Sequence, residues 1–144
     1  MRSEQIQELA KEIFAAQSAG GHGGIPRRPF GRSGETVSIV CLGGWHSTAR
    51  SAFKKAGESE SIHLMHAAIA DGINFFDNAW EYHDGYAEEL MGRALAMDGK
   101  RRQVFLMTKN CEREYEGSKR DLEDSLRRLP HGIRRFVDVP RVVL

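Results

Sequence analysis

Little in this sequence invites a disulfide, a membrane or a polyanion. Only two cysteines occur in 144 residues, Cys41 and Cys111. Cys41 falls in an expected strand and Cys111 in an expected loop, so the pattern excludes a disulfide framework and suits reduced thiols in a cytoplasmic protein. The formal net charge is +1, which supplies no field to draw nucleic acid, an anionic membrane or an acidic partner. No apolar run approaches the ~20 residues that cross a bilayer. What is present is 40% hydrophobic residues and 15 glycines, the composition of a globular chain.

The most informative stretch runs over residues 72–82. Ile73, Phe75 and Phe76 read as a short buried strand after a glycine break. Asp77 ends that strand, and Tyr82 lies on the loop beyond it. One reading is a strand-terminating turn with a surface tyrosine. The other is a catalytic acid pair at the mouth of a parallel sheet. Lys109 separates the two, because it directly follows a second buried strand at residues 104–108. Were the two strands parallel neighbours, Asp77 and Lys109 would emerge side by side. A free tyrosine, with a pKa of ~10, transfers protons poorly near neutrality. An ammonium beside it favours the phenolate, and an aspartate holds the lysine in place. Such a trio suits proton transfer to a carbonyl oxygen while hydride reaches its carbon.

Around this stretch, strands and helices alternate. A hairpin is expected over residues 28–38, turning at Ser33-Gly34, followed by a strand at 39–42 that Gly43 and Gly44 end. Residues 47–57 read as polar and irregular. Helices are expected at 59–70, with Ile62, Met65 and Ile69 inward, and at 88–97. A third is expected at 119–129, capped by Ser118 and turning Leu122, Leu126 and Leu129 inward. Alternation of this kind means parallel β/α units, in a barrel or in an open doubly wound sheet. Residues 1–24 read as an appended amphipathic helix and a glycine-rich linker, 25–129 as the folded domain, and 130–144 as a tail of different character. His22 among glycines, and His63 with His66 on one helix, lack the further ligands a metal needs, so no metal is expected. Lys100-Arg101-Arg102 sits at the amino end of its strand and reads as a solvated loop.

Gly-Ile-Asn-Phe-Phe-Asp-Asn-Ala-Trp-Glu-Tyr at 72–82 resembles the aspartate-plus-tyrosine signature of the aldo-keto reductases. Leu106-Met107-Thr108-Lys109 resembles their lysine strand. Phe30-Gly31-Arg32-Ser33-Gly34 and Leu42-Gly43-Gly44-Trp45 resemble the family's opening, in the same order. The resemblance implies an α/β fold: the amino-terminal part of a (β/α)8 TIM barrel, about three β/α units preceded by a β-hairpin. It implies NADPH-dependent reduction of an aldehyde or ketone, a small-molecule carbonyl substrate, and Tyr82 as proton donor. Lys109 would lower the tyrosine's pKa, and Asp77 would pair with Lys109. Gly44, Trp45 and Asp77 would border the nicotinamide. Some members act as potassium-channel beta subunits, so a non-catalytic cofactor-binding or regulatory role is the alternative, and an inactive truncated product a third.

A complete barrel takes ~250 residues, so 144 residues suit a portion of one. After Leu129 the family would supply a fourth strand and a histidine. Here Pro130, Gly132, Arg134-Arg135 and Pro140 are poor material for a central strand, and His131 comes too early for that role. The abrupt change predicts a reading-frame shift near Leu129. Permitted codons from Pro130 onward, read one base later, give Arg-Thr-Glu-Tyr-Val-Asp-Leu-Trp-Thr-Phe-His-Glu, which resembles the missing strand and its histidine. The nucleotide sequence checks this. The codons of Ile133, Val137 and Pro140 should yield Tyr, Trp and His in the shifted frame, and any other outcome removes the idea.

Overall fold

The computed structural model describes residues 24–53 and 57–129, with the side chains of 49–53 excepted. The expected helix over 3–19, most of the linker and the tail 130–144 lie outside the described residues.

The chain enters through an antiparallel hairpin, β1 (Arg27–Pro29) and β2 (Thr36–Ser38), registered so that Arg28 faces Val37. Asn74 fastens this hairpin to the sheet. Its side chain accepts from the Ser38 amide (2.7 Å) and donates to the Thr36 carbonyl (2.9 Å). Three parallel strands follow, β3 (Leu42–Gly43), β4 (Phe75–Asp77) and β5 (Phe105–Met107), adjacent in chain order. Helices α1 (Gly44–Phe53) and α2 (Glu58–Ala70) connect β3 to β4, α3 (Tyr86–Ala96) connects β4 to β5, and α4 (Tyr115–Arg128) follows β5.

The register assigns the two faces of the sheet. Leu42, Phe76 and Leu106 are level, as are Gly43, Asp77 and Met107. Phe76 and Leu106 are buried against Met65, Ile69, Leu90, Met91 and Leu95 of α2 and α3. Side chains alternate along a strand, so Phe75 and Asp77 share the opposite face. There Phe30 of the hairpin packs against Phe75 and Phe105, with ring centroids 5.4 and 5.0 Å apart. One face therefore carries an aromatic plug at its lower end and Asp77 at its upper end.

Four local expectations need correction. The first strand of the sheet is Leu42–Gly43 rather than 39–42. The Ile39 amide instead donates to the Pro26 carbonyl (2.9 Å), continuing the hairpin and leaving Ile39 and Val40 exposed. Residues 47–53 are helical, not irregular. Among the residues of α1 whose side chains are described, the buried ones are Gly44, Ser47 and Thr48, and both hydroxyls donate back to the Gly44 carbonyl. A helix buried through small polar residues carries no apolar period to read. Helix α3 begins two residues early, at Tyr86, which buries Glu88 within it. Helix α4 begins at Tyr115, so Ser118 lies inside it and donates to the Glu112 carbonyl instead of capping.

The face α4 turns inward is Gly117, Asp121 and Ser125, while Leu122 is exposed. The reason is the close approach of α3. A Cβ added at Gly92 would stand 2.0 Å from the Arg128 carbonyl oxygen. Gly92→Ala should therefore cost about 1–3 kcal/mol or more, since the atom in the way is backbone and cannot rotate aside. Denaturant midpoints of the two proteins check this, and an unchanged midpoint would show that α4 can shift freely.

Candidate active site

Pairing between β4 and β5 continues past the strands themselves. The Asn78 amide donates to the Met107 carbonyl (2.8 Å) and the Trp80 amide to the Lys109 carbonyl (3.0 Å). Lys109, two residues beyond Met107, thus returns to the Asp77 face of the sheet. Its Nζ forms an ion pair with Asp77 Oδ1 and donates to the Asn78 carbonyl (2.7 Å). Both side chains of the pair are about three-quarters buried, at 23% and 26% exposure. The same Nζ lies 5.1 Å from the centre of the Tyr82 ring. Lys109 is thus brought from 32 residues away to Asp77 and its near neighbour Tyr82, at the carboxyl ends of parallel strands.

Asp77 and Tyr82 line a cleft of about 720 Å³, together with Gly43, Trp45, His46, Glu81 and Asp84. Its size is that of a small-molecule site. Trp45, 44% exposed, forms one wall. Its indole meets the Tyr82 ring edge-on at 5.3 Å and stacks on His83 at 4.2 Å. The two other expected site positions separate here. Trp45 lines the cleft, whereas Gly44 is buried beneath it and its neighbour Gly43 supplies the lining. Gly44 is needed for another reason, since a Cβ there would lie 2.5 Å from Asn78 Oδ1.

Cys41 belongs to the same surroundings. The residue as a whole is exposed. Its thiol is nevertheless pushed up to about 11 by lost hydration and then by the Asp77 carboxylate, against the opposing pull of Lys109. A thiol so protonated is a poor nucleophile.

Sequence reasoning passed over Asn78, His83, Glu88 and Arg128. Asn78 is fully buried and donates to the Ala87 carbonyl (3.1 Å), tying the end of β4 to α3. Its place directly after Asp77 was the available signal. His83 lies within hydrogen-bond reach of the Trp45 carbonyl, Nε2 to O 3.0 Å. Of the paired histidines expected on a helix face, His63 is exposed, and His66 lies 2.8 Å from the Ala94 carbonyl. No cluster able to hold a metal occurs among the described residues, and no described helix is long and apolar enough to cross a membrane.

Parallel β/α units with an aspartate–lysine pair and a tyrosine at the strand ends define the opening section of a (β/α)8 barrel. The family model described as "Aldo/keto reductase family" matches residues 39–131, and the chain belongs to that family. Aldo-keto reductase AMT2 of Alternaria alternata is 42% identical over 103 residues, 70% of this chain and 26% of the relative. A probable voltage-gated potassium channel subunit beta of Oryza sativa subsp. japonica is 40% identical over 81 residues, 56% of this chain and 24% of the relative. The chain thus spans about a quarter of the length of these relatives. Among solved structures, an aldo-keto reductase from Klebsiella pneumoniae in complex with NADPH superposes with a TM-score of 0.62 at 27% identity, over 77% of this chain and 38% of that one.

Proposed function

We propose that the protein is an NADPH-dependent reductase of small aldehydes or ketones, with Tyr82 as proton donor, Lys109 as its charged partner and Asp77 holding Lys109. The observation that carries this reading is Lys109 Nζ, bonded to Asp77 and standing over the ring of Tyr82, the two partners that themselves line an open cleft. An ammonium held by a carboxylate and a backbone carbonyl is fixed in position beside the phenol. Tyr82 would hold the proton for the carbonyl oxygen. Trp45 offers the face and Asp77 the polar floor that a nicotinamide ring fits, while Gly44 lets Asn78 close beneath them. NADPH, when bound, supplies the hydride to the carbonyl carbon. The free thiols of Cys41 and Cys111 suit the same reading in the cytoplasm.

The similarity to channel beta subunits favours a second reading, in which the site binds cofactor without turnover. A fluorescence titration with NADPH, followed by carbonyl-dependent consumption of the bound cofactor, separates the two. Binding with turnover supports the reductase, binding without turnover for a range of aldehydes supports the second reading, and no binding by a folded barrel removes both.

A further inference from the structure

We propose that Arg128 is a positioning residue for the Tyr82 loop, acting on Trp80 and Gly85 with Glu88 as its anchor. The inference rests on the reading of Tyr82 as proton donor.

The loop from Trp80 to Gly85 has an unusual backbone. His83, Asp84 and Gly85 follow one another with φ of +53°, +56° and +87°. Side-chain-bearing residues seldom adopt that region, and two in succession persist only where the surroundings hold them. Hydrogen bonds within the loop are short-range turns, such as Asp84 N to the Glu81 carbonyl (3.2 Å) and Gly85 N to the Tyr82 carbonyl (3.2 Å). Restraint from outside comes on one flank from Trp45 against His83.

On the other flank it comes from Arg128, at the last residue of α4. Its Nη1 donates to the Trp80 carbonyl (3.4 Å), and its guanidinium carbon stands 5.5 Å from the Trp80 ring centre. The same plane covers Gly85 so closely that a Cβ there would be 2.3 Å from Cζ. Nη1 also donates to Glu88 Oε2 (3.2 Å), a carboxylate with no exposed surface. Glu88 Oε1 accepts from Thr108 (2.6 Å), which directly precedes Lys109, and from Ser125 (2.7 Å). One buried carboxylate thus joins the guanidinium under the Tyr82 loop to the strand end that delivers Lys109. A lysine at 128 could keep the ion pair with Glu88, but it has no plane to lay against Trp80 and Gly85.

The test is hydrogen–deuterium exchange, read by mass spectrometry on the 144-residue chain and its Arg128→Lys variant. Peptides covering 79–86 should exchange at least about tenfold faster in the variant, while those of α3 and β5 keep their native rates. Native protection of the loop in the variant overturns the proposal. So does an equal rise in all three regions, which is the mark of a merely structural contact. Should Arg128→Lys fail to fold, the double variant Glu88→Gln/Arg128→Met leaves no buried charge unpaired and is read by the same outcomes. Exchange needs no turnover, so an active Tyr82→Phe enzyme would remove the reading of Tyr82 and leave this result standing.

Discussion

Tyr82→Phe should lower carbonyl turnover by ~10²-fold or more while affinity for NADPH stays nearly unchanged. The measurement belongs in a form of the protein as long as its relatives, because this chain spans about a quarter of their length. Phenylalanine keeps the ring that Trp45 meets edge-on and over which Lys109 stands. The loop and the cleft wall should therefore survive, and what is lost is the hydroxyl. An acid that acts only as charge develops on the carbonyl oxygen affects turnover and not the binding of cofactor. Near-native turnover would remove Tyr82 from the chemistry. A parallel loss of NADPH affinity would mean that the ring, and not its proton, was the contribution.

Arg128→Ala should destabilise the fold by about 3–5 kcal/mol, the range for removing one partner of a buried ion pair. Glu88 has no exposed side-chain surface and Arg128 only 20%. Without the guanidinium, the carboxylate keeps two hydroxyl donors, Thr108 and Ser125, and no counter-charge. Folded domains are stable by only ~5–15 kcal/mol, so a loss of this size is a large fraction of the whole. Chemical denaturation of the two proteins gives the number. Adding Glu88→Gln to the variant should recover much of the loss, because a neutral amide needs no counter-charge. A cost below about 1 kcal/mol would show that the hydroxyls satisfy the carboxylate unaided.

The alternation of elements was legible because apolar residues recur with the period of the element they build. Phe75 and Phe76 with Phe105 and Leu106 mark strands, and Met65 with Ile69 marks the inner face of α2. The meeting of Asp77 and Lys109 was legible too, since Asp77 closes β4, Lys109 lies just past β5, and parallel neighbours must end on one edge. The start of helix α1 was hidden because its described buried residues are glycine, serine and threonine, and residue type alone does not distinguish them from a loop. Of the leucines expected inward on α4, Leu129 is buried in the core and Leu126 half-buried, while Leu122 is exposed, because Gly92 admits the helix backbone and Glu88 draws Ser125 and Arg128 inward.

What the amino-acid sequence determined by itself was therefore the order of the β/α units and the identity of the groups at their carboxyl ends, both consequences of local periodicity. Which further neighbours surround those groups was decided by tertiary structure alone. Trp45 stacks on His83, Gly44 makes room for Asn78, and Arg128 reaches beneath the Tyr82 loop from a helix 40 residues away from Glu88. Contacts of that kind depend on how two elements cross, and crossing is set by the small residues and buried charges between them rather than by the pattern along either one.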